Sequence, residues 1–148
     1  MMYFEELKIG MQTKTEPVTL RKDEMISFAK QYDNVPLHTD EAFASTTHFG
    51  QLIAPGMLSF LLVWAQYLEQ DLIGDALLAG ISQKVEWKKP VFAGDVLSGV
   101  MEITRLTDRN PKNGLAELTL SVFNQNGELV LIGITESIVK KGAPCNTD

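Results

Sequence analysis

The chain has 148 residues, of which 45% are hydrophobic and 22% charged, as in soluble proteins of one domain. Its formal net charge of -6 disfavours nucleic acid and anionic membranes as partners, because like charges repel at long range. The single cysteine, Cys145, excludes an intrachain disulfide and suits a reducing compartment. We therefore expect one cytoplasmic domain over residues 1–148, with no nucleic-acid or membrane partner and a flexible tail at 141–148.

The first half of the chain predicts a short strand followed by helices. Residues 11–19 read as an opening strand that ends near Pro17, and Thr19 offers a cap for a helix. Five apolar side chains then follow at helical spacing: Met25, Ile26, Phe28, Ala29 and Tyr32. Because Pro36 disfavours a helical residue before it, this helix must end by Val35. Asp40 can cap a second short helix.

A third helix is predicted over residues 57 to about 70, where the side chains are apolar nearly all round. A surface helix has a single apolar stripe, so this helix is expected to be buried. Its apolar run is about half the ~20 residues that a membrane span needs. Another part of the chain must therefore wrap around it.

The second half supplies that wrapper as four predicted strands, over residues 77–91, 95–107, 115–124 and 128–140. Asn126-Gly127 indicates a tight hairpin between the last two strands, and Asn113-Gly114 is expected in a longer turn. Connections this short require antiparallel pairing. The predicted class is α+β, with a curved antiparallel five-stranded sheet wrapped around a long central helix, which is the hot-dog arrangement.

Asp33 and His38 stand five residues apart, on either side of Pro36. A continuous helix would turn them about 500° apart, whereas a loop bent at proline can direct both at one small molecule. A carboxylate and an imidazole can together hold and polarise a water, with the carboxylate as base. A turn carboxylate beside a hydrogen-bonded histidine explains the same residues. With Asp40 they match no closed zinc or calcium pattern, and we expect no metal.

Gly56 stands where a loop becomes the long helix. A helix N-terminus presents unpaired N–H groups and a partial positive charge of about half a unit. Glycine lets a carbonyl oxygen approach that backbone closely, as an oxyanion hole requires. The alternative is that Pro55 and Gly56 only shape the turn. Ser59, three residues into the helix, has no base at a fixed spacing and is not expected to be a nucleophile.

Lys84, Lys88 and Lys89 form the most compact positive cluster of this acidic chain. A ligand phosphate could contact Lys88 and Lys89. The alternative is a solvated strand edge, which its lysines keep from aggregating.

Residues 32–38 resemble the signature D-x-N-P-x-H of the MaoC-like (R)-specific enoyl-CoA hydratases, with Asp33, Pro36 and His38 at matching positions. Three further segments recur in the family's order and spacing: residues 39–44, 53–57 and 89–95. The resemblance extends from residue 4 to about residue 139. It implies a hot-dog subunit that forms a homodimer, or pairs further, with a tunnel for an acyl-CoA or acyl-carrier thioester.

By matching position, Asp33 and His38 would bind and activate water, and the Gly56 N–H would bind the thioester oxygen. The resemblance implies hydration of a trans-2-enoyl thioester to a (3R)-hydroxyacyl thioester, or the reverse dehydration, without a metal or redox cofactor. Three residues depart from the pattern. Val35 replaces an asparagine and cannot form side-chain hydrogen bonds, and Tyr32 replaces a common glycine. Trp64 replaces a serine found in some members, and is expected to shorten the tunnel or to replace a polar contact to the aspartate.

Two other functions remain open. A hot-dog thioesterase would place a carboxylate on or beside the long helix, where Gln66 and Glu69 are the nearest polar residues. A non-catalytic acyl-thioester binding subunit is suggested by Val35. The retained spacing of Asp33 and His38 favours hydration.

Overall fold

A computed structural model describes residues 1–70 and 72–142. The predicted α+β class is confirmed, since helices of the first half pack against a sheet built mainly from the second. The helices are α1 Lys22–Tyr32, α2 Pro36–Thr39, α3 Glu41–Ser45 and α4 Gly56–Leu68. The strands are β1 Gln12–Lys14, β2 Val18–Thr19, β3 Leu77–Trp87, β4 Val96–Asn110, β5 Asn113–Phe123 and β6 Leu129–Lys140. Among these described residues, no helix has the length and apolar character of a membrane span.

The sheet is antiparallel throughout, in the order β1-β4-β5-β6-β3, and β2 also pairs with β4. Over residues 1–70 and 72–142 it has six strands instead of the predicted five, because the opening strand is broken in two. At the break, the Thr15 hydroxyl takes the place of a backbone acceptor for the Gly99 N–H, at 2.8 Å. Pro17 has no N–H with which to continue the ladder.

The hairpin between β5 and β6 is confirmed at Asn126-Gly127, and its loop is one residue longer than a two-residue turn. The Asn124 N–H donates to the Glu128 carbonyl at 3.0 Å, and Gly127 has a φ of 73° that favours glycine.

The long turn predicted at Asn113-Gly114 is wrong. The turn consists of Pro111 and Lys112, and Asn113 already pairs with Asn110 across the two strands. The Asn110 side-chain oxygen accepts the N–H groups of Lys112 and Asn113 at 2.8 and 3.0 Å. An asparagine that bonds its own turn in this way starts the turn earlier than the Asn-Gly pair suggests.

The predicted cap at Thr19 is also wrong, because Thr19 is still part of β2. The next residue, Leu20, exchanges backbone hydrogen bonds with Gly94 and Asp95, so the chain stays extended until Arg21. The Asp40 cap is confirmed, since its Oδ1 accepts the Phe43 N–H at 3.1 Å.

Helix α4 packs on the sheet at two glycines. A Cβ on Gly99 would lie 2.6 Å from Val63 Cγ1, and one on Gly133 would lie 2.5 Å from Phe60 Cε2. Both distances are well inside van der Waals contact, so only glycine lets the helix lie this close to β4 and β6.

The expectation that α4 is buried all round is not met within one chain. Leu58, Phe60 and Val63 face the core, whereas Met57 and Leu61 are about two-fifths exposed and Leu68 about half exposed. Residues four and seven apart lie on one face of a helix, so the exposed side chains form a single apolar stripe.

Lys141 and Gly142, which follow β6, are hydrogen-bonded to earlier parts of the chain. The Lys141 N–H donates to the Lys112 carbonyl at 2.9 Å, and the Gly142 N–H donates to Glu5 Oε2 at 3.0 Å. The first two residues of the predicted tail therefore each form a hydrogen bond with an earlier part of the chain. Residues 143–148, including Cys145, lie outside the described residues.

Candidate functional site

Asp33 and His38 are brought together by a bend between α1 and α2. Asp33 ends α1, and its N–H still donates to the Ala29 carbonyl at 2.9 Å. Val35 is extended, as expected before a proline, and Pro36 starts α2. Asp33 Oδ2 consequently lies 3.3 Å from His38 Nε2.

Val35 supports this bend through its backbone, although its side chain cannot form hydrogen bonds. Its N–H donates to the Asp33 carbonyl at 2.9 Å. Its carbonyl accepts the His38 N–H at 3.0 Å and the Thr39 hydroxyl at 3.1 Å. The loop therefore has a hydrogen-bonding scheme that does not require an asparagine side chain here.

The imidazole is held in one orientation. His38 Nδ1 lies 2.7 Å from the Ile53 carbonyl oxygen, which can only accept, so Nδ1 carries a proton. In the neutral ring Nε2 is then an acceptor, and it faces a carboxylate that is also an acceptor. A water that donates one O–H to each group satisfies both. The His38 side chain is 10% exposed and that of Asp33 is 46% exposed, so the ring is fixed while the carboxylate is accessible.

These two side chains line a cavity of about 480 Å³, within the size range of small-molecule sites. The polar groups at its wall come from the α1–α2 bend, from the start of α4 and from the end of β3. Most of the remaining wall is apolar: Phe49, Ile53, Ala54, Met57, Pro90 and Val91. Such a cavity can bind an apolar chain beside a small number of polar groups.

The start of α4 is part of this wall. Among the hydrogen bonds of the described residues, the N–H groups of Gly56 and Met57 have no protein acceptor, as the predicted oxyanion site requires. Gly56 also packs against the indole of Trp87. A Cβ on Gly56 would lie 2.4 Å from Trp87 Cε2, so a side chain and this indole cannot both be accommodated.

Lys88 and Lys89 line the cavity, and each already contacts a carboxylate. Lys88 Nζ lies 3.1 Å from Glu86 Oε2, and Lys89 is paired with Glu128. The side-chain hydrogen bond from each lysine lowers the pKa of its glutamate partner. A phosphate at this position would compete with these two carboxylates.

Trp64, which was expected at the tunnel, is not among the residues that line this cavity. Its ring packs against Phe60 and Tyr67, with ring centroids 5.8 and 5.4 Å apart. Gln66 and Glu69, the nearest polar residues for a thioesterase, are likewise absent from its wall. Within residues 1–70 and 72–142, no group of three or more His, Cys, Asp or Glu side chains could hold a metal ion.

The wall also contains Trp87 and Ser59, which were not assigned there from the sequence. Trp87 belongs to the lysine-rich segment, whose charges are also typical of a solvated strand edge. Ser59 is 1% exposed, and its hydroxyl has no hydrogen-bond partner in the part of the chain that the structure describes. The signal for Ser59 was available, because it is a polar residue within an apolar run, one helical turn after Gly56.

Comparison with known proteins identifies the family of this chain. The model of the MaoC like domain matches residues 5–124. The (R)-specific enoyl-CoA hydratase of Aeromonas caviae is 39% identical over 105 residues, which cover 71% of this chain and 73% of that protein. The 3-hydroxybutyryl-CoA dehydratase of Methylorubrum extorquens is 33% identical over 140 residues, covering 94% and 83%.

A solved structure supports the fold independently. The (R)-hydratase from A. caviae involved in PHA biosynthesis superimposes with a TM-score of 0.73 at 34% identity, covering 93% of this chain and 99% of that one. The predicted hot-dog fold is confirmed by this likeness, and the chain belongs to the MaoC-like domain family.

Proposed function

We propose that the protein adds water to a trans-2-enoyl thioester to give a (3R)-hydroxyacyl thioester, and catalyses the reverse dehydration. The observation that carries this proposal is the Asp33–His38 contact at 3.3 Å, in one cavity with the unpaired N–H groups of α4. The names of the A. caviae and M. extorquens relatives support both the reaction and an acyl-CoA substrate. An acyl-carrier thioester presents the same reacting group.

In the proposed mechanism, one water donates its two O–H groups to Asp33 and to His38 Nε2. Its lone pair then points at C3 of the substrate. Asp33 takes a proton as the C3–O bond forms, and the C2–C3 π electrons move to the thioester, giving an enolate-like oxygen. The Gly56 N–H stabilises that oxygen. The proton taken from water returns to C2, so both side chains end in their starting protonation states.

The test is to incubate the protein with crotonyl-CoA and to follow the loss of enoyl absorbance, with a thiol-release assay on saturated acyl-CoAs in parallel. We expect enoyl loss without thiol release. Thiol release without hydration would indicate a thioesterase. Binding of acyl-CoA with neither reaction would indicate a non-catalytic binding subunit.

We further propose that the protein is a homodimer, with a second copy covering the free edge of the sheet. β3 is an end strand with β6 as its neighbour, and it carries Leu78, Ile81 and Trp87, each about half exposed. A long exposed apolar edge strand is a site for pairing with another chain. The apolar stripe of α4 adds further surface that a partner can cover.

Replacing Ile81 by lysine is expected to shift the protein from dimer to monomer, because a charge at the centre of the interface would be buried without a partner. Sedimentation measures this directly. The matched control is Ile9→Lys, since Ile9 is also exposed but precedes β1, at the opposite edge of the sheet. A monomeric parent protein, or an Ile81→Lys dimer, would contradict the proposal.

A further inference from the structure

The hydroxyl of Ser59 has no partner although it is buried in the wall of the cavity. The residue is 1% exposed, and its Oγ forms no hydrogen bond within the described residues. A buried polar group without a partner is costly, so it normally has one when the protein is at work. The missing partner must come from the cavity or from the helix itself.

The helix offers few free acceptors for the Ser59 hydroxyl. A helical serine often donates to the carbonyl four residues before it, which here belongs to Pro55. That oxygen already accepts the N–H groups of Leu58 at 3.1 Å and Ser59 at 3.3 Å. A carbonyl oxygen has two lone pairs, so both are in use. Ser59 also lines the cavity, so a ligand bound there is the other candidate partner for its hydroxyl.

Ser59 is also well placed relative to Gly56. Residues three apart are neighbours on one face of a helix, and side chains tilt towards the helix N-terminus. The side chain of Ser59 is therefore directed back towards the first turn, where the Gly56 N–H has no acceptor among the described residues. A backbone donor and a side-chain donor beside each other can both reach a single oxygen atom.

We propose that Ser59 donates a second hydrogen bond to the substrate's thioester carbonyl oxygen, together with the Gly56 N–H. This inference rests on the proposed hydratase function. As water attacks C3, the carbonyl oxygen gains negative charge, so the Ser59 hydrogen bond strengthens towards the transition state. The Ser59 hydrogen bond should consequently increase kcat more than it changes KM.

The first test is a series of variants assayed with crotonyl-CoA. Ser59→Ala should lower kcat by about 10²-fold with little change in KM, the low end for loss of one oxyanion donor. The kcat of Ser59→Cys, which keeps a weak donor of similar size, should lie between the kcat of the parent protein and that of Ser59→Ala. The control is Ser27→Ala, at an exposed serine of α1. Ser59→Ala should also melt at the same or a higher temperature, because it removes an unpaired buried hydroxyl.

The second test separates hydrogen bonding from packing. Cinnamoyl-CoA is bound to the inactive Asp33→Asn variant, and its absorbance maximum is recorded. Donors to the carbonyl polarise the conjugated thioester, so binding should shift the maximum to longer wavelength. Adding Ser59→Ala should reduce this shift.

The outcomes distinguish the two proposals. Hydration by the parent protein with an unchanged shift in Ser59→Ala overturns the role of Ser59 alone. A Ser59-dependent shift in a protein that does not hydrate crotonyl-CoA overturns the proposed function alone. A lower melting temperature and lower kcat with an unchanged shift indicate a packing role and refute the inference. Failure of the parent protein to hydrate crotonyl-CoA, together with failure of the parent protein and Asp33→Asn to bind cinnamoyl-CoA, contradicts both.

Discussion

Replacing Asp33 by asparagine is expected to lower kcat for enoyl hydration by at least ~10²-fold, the low end for a positioned acid–base group. The amide keeps the shape of the side chain but cannot accept the proton of the attacking water. Replacing His38 by glutamine should have an effect of similar size, because it removes the ring whose Nδ1 is fixed on the Ile53 carbonyl and whose Nε2 accepts from that water. Both rates are measured from the loss of enoyl absorbance at saturating crotonyl-CoA.

The double variant Asp33→Asn/His38→Gln tests whether the two side chains act on the same water. If both side chains hold one water, the second substitution should cost little beyond the first, since groups that act as a unit are not additive. Fully additive losses would show that the two residues act at separate steps. The control is His48→Gln, because the His48 ring stacks on Phe49 and does not line the cavity.

Replacing Gly56 by alanine is expected to reduce kcat by about 10²-fold, comparable with the loss of one oxyanion donor. The added methyl would lie 2.4 Å from Trp87 Cε2, so the indole must move into the cavity or the methyl must displace the start of α4. Either change obstructs the approach of the thioester oxygen to the backbone N–H. Alanine favours helix over glycine, so the fold should not be weakened by propensity.

A second substitution tests the stated cause. Trp87→Ala removes the ring that the methyl contacts, and the double variant Gly56→Ala/Trp87→Ala should therefore recover activity relative to Gly56→Ala. The control is Gly142→Ala, where an added Cβ has an ordinary 3.6 Å contact with Tyr3. Full activity in Gly56→Ala, or no recovery in the double variant, would show that the close contact with Trp87 does not matter to the reaction.

The elements of the fold could be predicted from the chain because their signals are local. Alternation of apolar and polar residues located β4, β5 and β6 to within a few residues, and the apolar run located α4. The ends were less predictable where long-range bonds decided them. β3 ends at Trp87 instead of residue 91. The backbone N–H groups of Lys88 and Lys89 both donate to the Val130 carbonyl, which breaks the ladder, and Pro90 has no N–H.

In the candidate site too, some residues could be predicted from local sequence and others could not. The proximity of Asp33 and His38 could be predicted, because a proline between them bends the chain over only five residues. Gly56 could be predicted as a helix start because it follows Pro55 and precedes an apolar run, which is also a local signal. Trp64 and Trp87 were not distinguishable by sequence, and only the packing of α4 against the sheet places Trp87 in the cavity and Trp64 against Phe60 and Tyr67.

The sequence by itself therefore determined the class of fold, the family resemblance and the bent loop that carries Asp33 and His38. These depend on periodicity and on backbone restrictions that act over a few residues. The tertiary structure alone decided which side chains surround the pair, because that depends on where β3 ends beside α4. It also showed that the Ser59 hydroxyl is buried without a hydrogen-bond partner among the described residues, because the positions of the neighbouring donors and acceptors depend on tertiary packing.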